Sequence, residues 1–404
     1  MVYAAALNSV VIPPKLSCEF AVVYDSDYDM VLYSKKGEQK IHPASTTKIA
    51  TMLYSLSLNR DPNEFFQVPS HVLKFLPKEK KIALHYAVEP YLLEPDAVTI
   101  GLLPNGIYSL NDLYHGMMLG SANDAANAIA YYLGNNSIEE FMIGLNQFLQ
   151  KIGCRETNFV NPGGLEYPTH RTTALDLAKM LSYGINSSEF LEIMRKETFV
   201  FESGAIADRN FSTGNQLLRP DKGLYYKHCI AGKTGYTENA GRCFVGAAKN
   251  EERTVVVSVM RSDSRNNRFI DAINLFNAAF DEKKAIRTFY NGSDPCFSLQ
   301  PTNCSERLQL QLEEDLTVET FESRLALLEP RVILDSVEVP IQKGEVCGRV
   351  EIIAPSGKVI ASKSLIAAKG VSHSFQTLAF MYKYQIMLVL LAIFSLAVFL
   401  KKNG

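Results

Sequence analysis

The chain has 404 residues, 47% of them hydrophobic and 21% charged, with 41 Lys and Arg against 43 Asp and Glu for a formal net charge of −2. A length beyond what one core usually supports predicts at least two domains, and a balanced charge without a dense basic stripe excludes nucleic acid as the main partner. The seven cysteines include no C-x-x-C pair and no Cys/His cluster at zinc spacing, so no metal site is expected; Cys296 and Cys304 are close enough in sequence to bridge in an oxidising compartment.

Met1-Val-Tyr-Ala-Ala-Ala6 has the small residues of a signal cleavage site but no basic or long apolar stretch before them, so residues 1–17 read as a signal remnant or N-terminal extension. Glu19–Tyr24 and Met30–Ser34 are apolar or β-branched runs around an Asp-rich turn, which predicts a hairpin. A helix is expected from near Ser45. Prolines at 62, 69, 77, 90, 95 and 104 mark an irregular excursion, in which Lys78-Glu-Lys-Lys81 reads as a solvated loop. From Ser109 to about Ile185 the pattern is helical, with a capping box at Ser137 and Glu140. Arg242–Lys249 and Arg253–Met260 predict a second hairpin, followed by an amphipathic helix over about Phe269–Ala285.

That order of strand, helices, strands and helix predicts one α/β unit over 18–290. Residues 291–370 then alternate at period two, as in Leu308-Gln-Leu-Gln-Leu312 and Val332–Val339, which predicts a small all-β module. A linker at 371–377 leads to an uncharged apolar run ending at Leu400 and closed by Lys401-Lys402. Read over 378–400, it predicts a membrane anchor with Tyr382 and Tyr384 at one interface and a cytoplasmic C-terminus, which places the preceding domains outside the cytoplasm.

Three short motifs in the α/β unit carry the chemistry. Ser45 and Lys48 form an S-x-x-K pair, three residues apart and so on one helical face, where an amine without its proton can activate the hydroxyl beside it. Gly120-Ser-Ala-Asn123 supplies S-x-N, and Lys233-Thr-Gly235 supplies K-T-G just before a predicted strand. Singly, Ser121 and Asn123 also suit a turn and helix cap, and Lys233-Thr-Gly235 a strand end with a bulge. The three together, in one order and one domain, favour a functional reading over these. His42 and His228 lie in no triad-like setting and read as structural.

With these motifs the chain resembles the penicillin-recognising serine enzymes, and within them the low-molecular-mass D-alanyl-D-alanine carboxypeptidases. Pro43–Lys48, Asn161-Pro-Gly-Gly-Leu165, Thr173–Ala178, Asn215-Gln-Leu-Leu218 and Gly232–Thr237 extend the likeness. The resemblance implies a β-lactamase-like transpeptidase domain, an antiparallel sheet flanked by helices with a helical subdomain, followed by the β module and the C-terminal anchor. It implies Ser45 as acylated nucleophile, Lys48 as proton acceptor, and Ser121 and Asn123 as proton relay and orienting group. Lys233, Thr234, Gly235, Tyr236 and Arg268 would bind the substrate, the cation and hydroxyl groups gripping its terminal carboxylate and the N–H groups of Ser45 and Tyr236 its oxyanion.

The implied substrates are peptidoglycan stem peptides ending in D-Ala-D-Ala, with β-lactams as inhibitors and no cofactor. D,D-endopeptidase, β-lactamase and a non-catalytic penicillin-binding sensor are the alternatives. Glu166-Tyr-Pro-Thr-His170 departs from the E-x-x-L-N segment of class A β-lactamases, and Tyr236 stands where some relatives carry His.

Overall fold

The structure, a computed structural model, describes Pro13 and residues 15–292, 294–302, 304, 306–372 and 375–402, with main chain only at 296, 375–381 and 396–402. The chain divides into two compact units, Met1–Glu282 and Lys283–Gly404. Most of the expected N-terminal extension lies outside the described residues.

In the first unit, β1 (Phe20–Asp25) and β2 (Met30–Lys35) form the expected hairpin, whose turn closes through Asp29 at φ 53°. A 3-10 turn at Ala44–Thr46 leads into α1 (Thr47–Ser57). The proline-rich excursion holds β3 (Phe65–Gln67), α2 (Lys78–Ala83) and β4 (Ile107–Ser109). Here the expectation of a solvated loop fails: Lys81 is buried, and its Nζ is held by the Leu92 carbonyl at 2.5 Å and Glu94 at 3.0 Å.

Four helices follow: α3 (Leu110–Met118), α4 (Asn123–Leu133), α5 (Ile138–Lys151) and α6 (Ala174–Gly184). Ser137 caps α5 by accepting from the Glu140 N–H at 3.2 Å, as the capping box predicts. The helical pattern is broken between Lys151 and Ala174, where Asn161-Pro-Gly-Gly164 forms a loop with Gly164 at φ 88°. Pro162 and two glycines cannot propagate a helix, and that interruption reappears in the site.

The unit closes with α7 (Ser188–Arg195), the short pair β5 (Thr198–Val200) and β6 (Asn210–Ser212), β7 (Cys229–Thr237), β8 (Gly241–Lys249), β9 (Thr254–Ser262) and α8 (Asn267–Phe280). Among the described residues the central sheet has five antiparallel strands in the order β2-β1-β9-β8-β7.

Period-two geometry lets each inner strand feed two cores. Ala21, Val23, Val255 and Val257 pack with Phe269, Leu275 and Phe276 of α8 on one face. Val22, Tyr24, Val256 and Met260 join the core of α1 and α3–α6 on the other. The apolar residues of α8 recur at helical spacing, so one stripe suffices to cover its face. Helix α1 is enclosed on that second face, with Ile49, Ala50 and Met52 fully buried. A residue at its start is thereby fixed between sheet and helices.

The second unit contains β10 (Lys284–Tyr290), β11 (Pro295–Leu299), β12 (Leu308–Leu312), β13 (Leu316–Phe321), the single turn α9 (Glu322–Leu325), β14 (Glu329–Leu334), β15 (Val346–Ile353) and β16 (Val359–Ala367). Its main sheet runs β11-β12-β16-β15-β14, in keeping with the alternating pattern, and β10 pairs with β13. The helix expected to reach Ala285 therefore ends at Phe280, because 284–290 takes strand partners in the second unit. Cys304 is a free thiol, and the side chain of Cys296, its suggested partner, lies outside the described residues.

A final helix, α10 (Phe375–Lys402), covers the expected anchor. Its side chains are described over 382–395, and among the described residues no helix is long and apolar enough to cross a membrane.

Arg253 ties both ends of the first unit to the sheet: its guanidinium lies 3.0 Å from Asp25 and 2.7 Å from Glu282, all three side chains being buried. Arg253→Met removes the cation these carboxylates share, and is expected to lower the unfolding free energy by about 3–5 kcal/mol. Urea titration of the two proteins measures it.

Candidate active site

Ser45 sits in the 3-10 turn that opens α1, one residue after Ala44 at φ 51°. Left-handed backbone costs an alanine roughly 1–2 kcal/mol, so the turn is held by its surroundings. Thr46 Oγ1 donates to the Pro43 carbonyl at 2.7 Å and Thr47 Oγ1 to the Ala44 carbonyl at 2.9 Å. His170, buried and pushed down to about 3 chiefly by that burial, meets Thr47 Oγ1 at 2.9 Å.

Lys48 is completely buried, and its Nζ has three partners: Ser45 Oγ at 3.0 Å, Asn123 Oδ1 at 2.9 Å and the Gly163 carbonyl at 2.6 Å. Two of these can only accept. A neutral amine has two N–H groups and one lone pair, so donating to Asn123 and Gly163 leaves the lone pair for the Ser45 hydroxyl proton. Burial pushes the amine well below the usual lysine value, the charge of Lys233 pushes it further, and Asp124 opposes the shift.

Asn123 is aimed by its other end. As the first residue of α4 it donates from N and Nδ2 to the Val98 carbonyl at 2.8 and 3.0 Å, which turns Oδ1 toward Lys48. Ser121, at φ 59°, accepts from Lys233 Nζ at 2.8 Å. Lys233 also donates to the Thr234 carbonyl at 3.0 Å; it is pushed down to about 7, first by burial and then by Arg268.

Strand β7 carries Lys233, Thr234, Gly235 and Tyr236 past the Ser45 turn. A Cβ on Gly235 would lie 3.1 Å from each of Ser45 N, the Pro43 carbonyl and the Ala44 methyl, so glycine permits the approach. The three motifs thus meet.

Tyr236 is 51% exposed, with the Arg242 guanidinium 3.7 Å above its ring. Arg268 is buried, and its NH1 donates at 3.3 Å to the Gly235 and Cys243 carbonyls. Burial and then the charge of Arg242 lower it to about 10. Arg171 contacts the His42 ring, and His228 packs on Tyr226 and Phe280.

Sequence reasoning assigned no role to the Gly163 carbonyl. The signal was the Asn-Pro-Gly-Gly run: Asn161 Oδ1 accepts from Gly164 N and Leu165 N at 2.7 and 3.0 Å, closing the loop on itself. A Cβ on Gly163 would fall 2.4 Å from Asn123 Oδ1. Glu166 accepts from Asn239 N and Nδ2 at 2.9 and 2.8 Å and pairs with Lys78 at 3.0 Å, linking that loop to the β7–β8 turn.

Residues 78–264 match the family model described as D-alanyl-D-alanine carboxypeptidase, a span that contains the S-x-N and K-T-G groups. The chain is 24% identical to D-alanyl-D-alanine carboxypeptidase DacF of Bacillus subtilis (strain 168), over 86% of this chain and 84% of that protein. It is 25% identical to D-alanyl-D-alanine carboxypeptidase DacA of Haemophilus influenzae, over 88% and 85%. The crystal structures of penicillin binding protein 5 from Haemophilus influenzae share the fold, with a TM-score of 0.61 at 22% identity over 90% of this chain and all of that one. The sheet edge laid against a Ser-x-x-Lys helix is in keeping with the resemblance to the penicillin-recognising serine enzymes. Over residues 78–264 the chain thus matches the D-alanyl-D-alanine carboxypeptidase family model, and over most of its length it is similar to curated D-alanyl-D-alanine carboxypeptidases.

The electrostatics predict a bell-shaped pH profile. With Lys48 as the expected proton acceptor, acylation would rise as pH climbs through its lowered pKa; with Lys233 as the expected substrate-holding cation, it would fall as that lysine loses its charge past about pH 7. Lys233→Arg keeps the cation and is expected to shift the alkaline limb above about pH 9. The check is the second-order rate of penicillin acylation measured across pH for both proteins.

Proposed function

We propose that this chain is a serine-type D-alanyl-D-alanine carboxypeptidase, removing the terminal D-alanine of peptidoglycan stem pentapeptides through an ester on Ser45. The observation that carries the reading is Lys48 Nζ, 3.0 Å from Ser45 Oγ and already donating to two groups that can only accept. Ser45 Oγ attacks the penultimate carbonyl as its proton passes to Lys48. The N–H groups of Ser45 and Tyr236 take the oxyanion, and collapse expels the D-alanine amine, protonated from Lys48 by way of Ser121. Water then attacks the ester, its proton passing to Lys48 and from there to the departing Ser45 Oγ, which releases the shortened peptide and restores the Ser45 hydroxyl and the neutral amine. Lys233 and Thr234 hold the substrate carboxylate, and buried Arg268 adds positive field behind Gly235.

A carboxypeptidase rather than a β-lactamase is favoured by Glu166, whose oxygens are taken by Asn239 and Lys78. Incubation with penicillin is expected to leave a persistent adduct on the Ser45 peptide by mass spectrometry. A peptide ending in D-Ala-D-Ala is expected to release D-alanine, with Ser45→Ala lowering release at least about 1000-fold. Release that survives in Ser45→Ala, or none from penicillin-reactive protein, overturns the reading.

The second element of the proposal is anchorage by α10, with the catalytic unit on the extracytoplasmic side of the membrane. At 28 residues the helix is about 42 Å long, and Leu388, Leu390, Ile393 and Phe394 are among the apolar side chains it leaves exposed. The full chain is expected to sediment with membranes and a chain ending at Gly370 to stay in the supernatant; equal partitioning of the two refutes it.

A further inference from the structure

We propose that a cavity beside the segment leading into Ser45, walled by His42, Arg171, Arg261 and Lys40, binds a doubly charged oxyanion of the phosphate class. The inference goes beyond the carboxypeptidase reading and does not depend on it.

The cavity has a volume of about 140 Å³ and lies in the first unit, between the segment before Ser45, the β7–β8 turn and the ends of β1 and β9. None of the S-x-x-K, S-x-N or K-T-G residues lines it. Phe20 and Met260, both buried, give it an apolar floor, so charges on its walls are poorly screened.

Strand β9 is distorted where it supplies one of the cations. Neighbouring residues of a regular strand face opposite sides of a sheet, yet Met260 and Arg261 both line the cavity. The pairing of β8 with β9 slips between Arg242 and Phe244, and Arg261 stands at φ 57°, a left-handed conformation that arginine rarely adopts. The bulge turns its side chain onto the same cavity as its neighbour's.

These cations are poorly answered by the protein's own acids. Arg171 NH1 contacts the His42 ring, and among the described residues no carboxylate pairs with either side chain. Glu166, the acid whose field reaches both, is committed to Asn239 and Lys78. Burial holds His42 below the usual histidine range; Arg171, then Arg261 and Lys78, push it the same way, and Glu166 opposes them. Near neutral pH the ring is therefore uncharged and offers a single N–H. Lys40 and Arg261 have exposed partners, Glu156 at 3.2 Å and Glu19 at 3.5 Å, pairs that hold weakly in water. Guanidinium forks suit carboxylate and phosphate alike, but a single carboxylate answers one cation where phosphate brings up to two charges and an oxygen for each donor.

The probe is inorganic phosphate, added to the full chain at constant pH and ionic strength and followed by NMR of its seven histidines, selectively labelled. Loss of one signal in His42→Gln identifies that of His42. It is expected to move in a saturable way, with Arg171→Gln weakening binding at least about 10-fold and Arg171→Lys less, since lysine keeps the charge without the fork. Arg261→Gln, at an exposed position, is expected to weaken binding about 3-fold and carries the test where Arg171→Gln does not fold. Glycerol 3-phosphate that moves the same signal identifies a phosphate group carried on a larger molecule; a response to inorganic phosphate alone identifies the free ion. A His42 signal that stays still, moves as much with acetate, or keeps its affinity in both arginine variants overturns the proposal.

Discussion

Two lysines buried in one cleft form the constraint on which the rest of the first unit depends. Each amine loses solvation, and the charge of Lys233 lowers Lys48 further than burial alone, so charging one lysine disfavours charging the other. The counter-charge is Asp124, whose carboxylate accepts from the N–H groups of Ile100, Gly101, Leu102 and Ala125 at 2.9–3.1 Å. The segment that supplies Val98 to Asn123 is thus clamped by the acid that moderates Lys48. Electrostatics and loop conformation are set by the same few contacts.

Such an arrangement needs a stiff frame, because the partners of Lys48 come from three separated stretches of chain. The double core provides it: strands that face both ways bind α8 on one side and the α1 bundle on the other. Helix α1 has no freedom to tilt, so the approach of β7 sets where Ser45 lies. Glu166 adds a cross-brace between the Asn161–Leu165 loop and the β7–β8 turn. Stability and site geometry are therefore not separable in this unit.

Most of the site was legible because its chemistry is local. Ser45 and Lys48 share a helical face by spacing alone, and K-T-G stands out as a triplet, although it reads as lying just before a strand and lies inside β7. What stayed hidden was contributed by backbone or by distant pairing. The Gly163 carbonyl has no side-chain signature; the full extent of β7 is masked because Gly232-Lys-Thr-Gly235 interrupts the apolar alternation that betrays a strand. Lys81 reads as surface in any local window, and the Leu92 carbonyl and Glu94, across a non-repetitive loop, offset the cost of its burial. Residues 284–290 favour strand or helix equally until β13 is present to pair with them.

Ala44 and Gly235 together contribute a single methyl to the seam between α1 and β7. The width of that seam is nevertheless set mostly by main chain, since a Cβ at 235 would also crowd the Pro43 carbonyl and Ser45 N. Glycine at 44 would relieve the left-handed backbone and remove the methyl, yet any growth at 235 still forces apart the strand and the turn that carries Ser45. In evolutionary terms position 44 is free to shrink, while position 235 is closed to side chains whatever stands opposite.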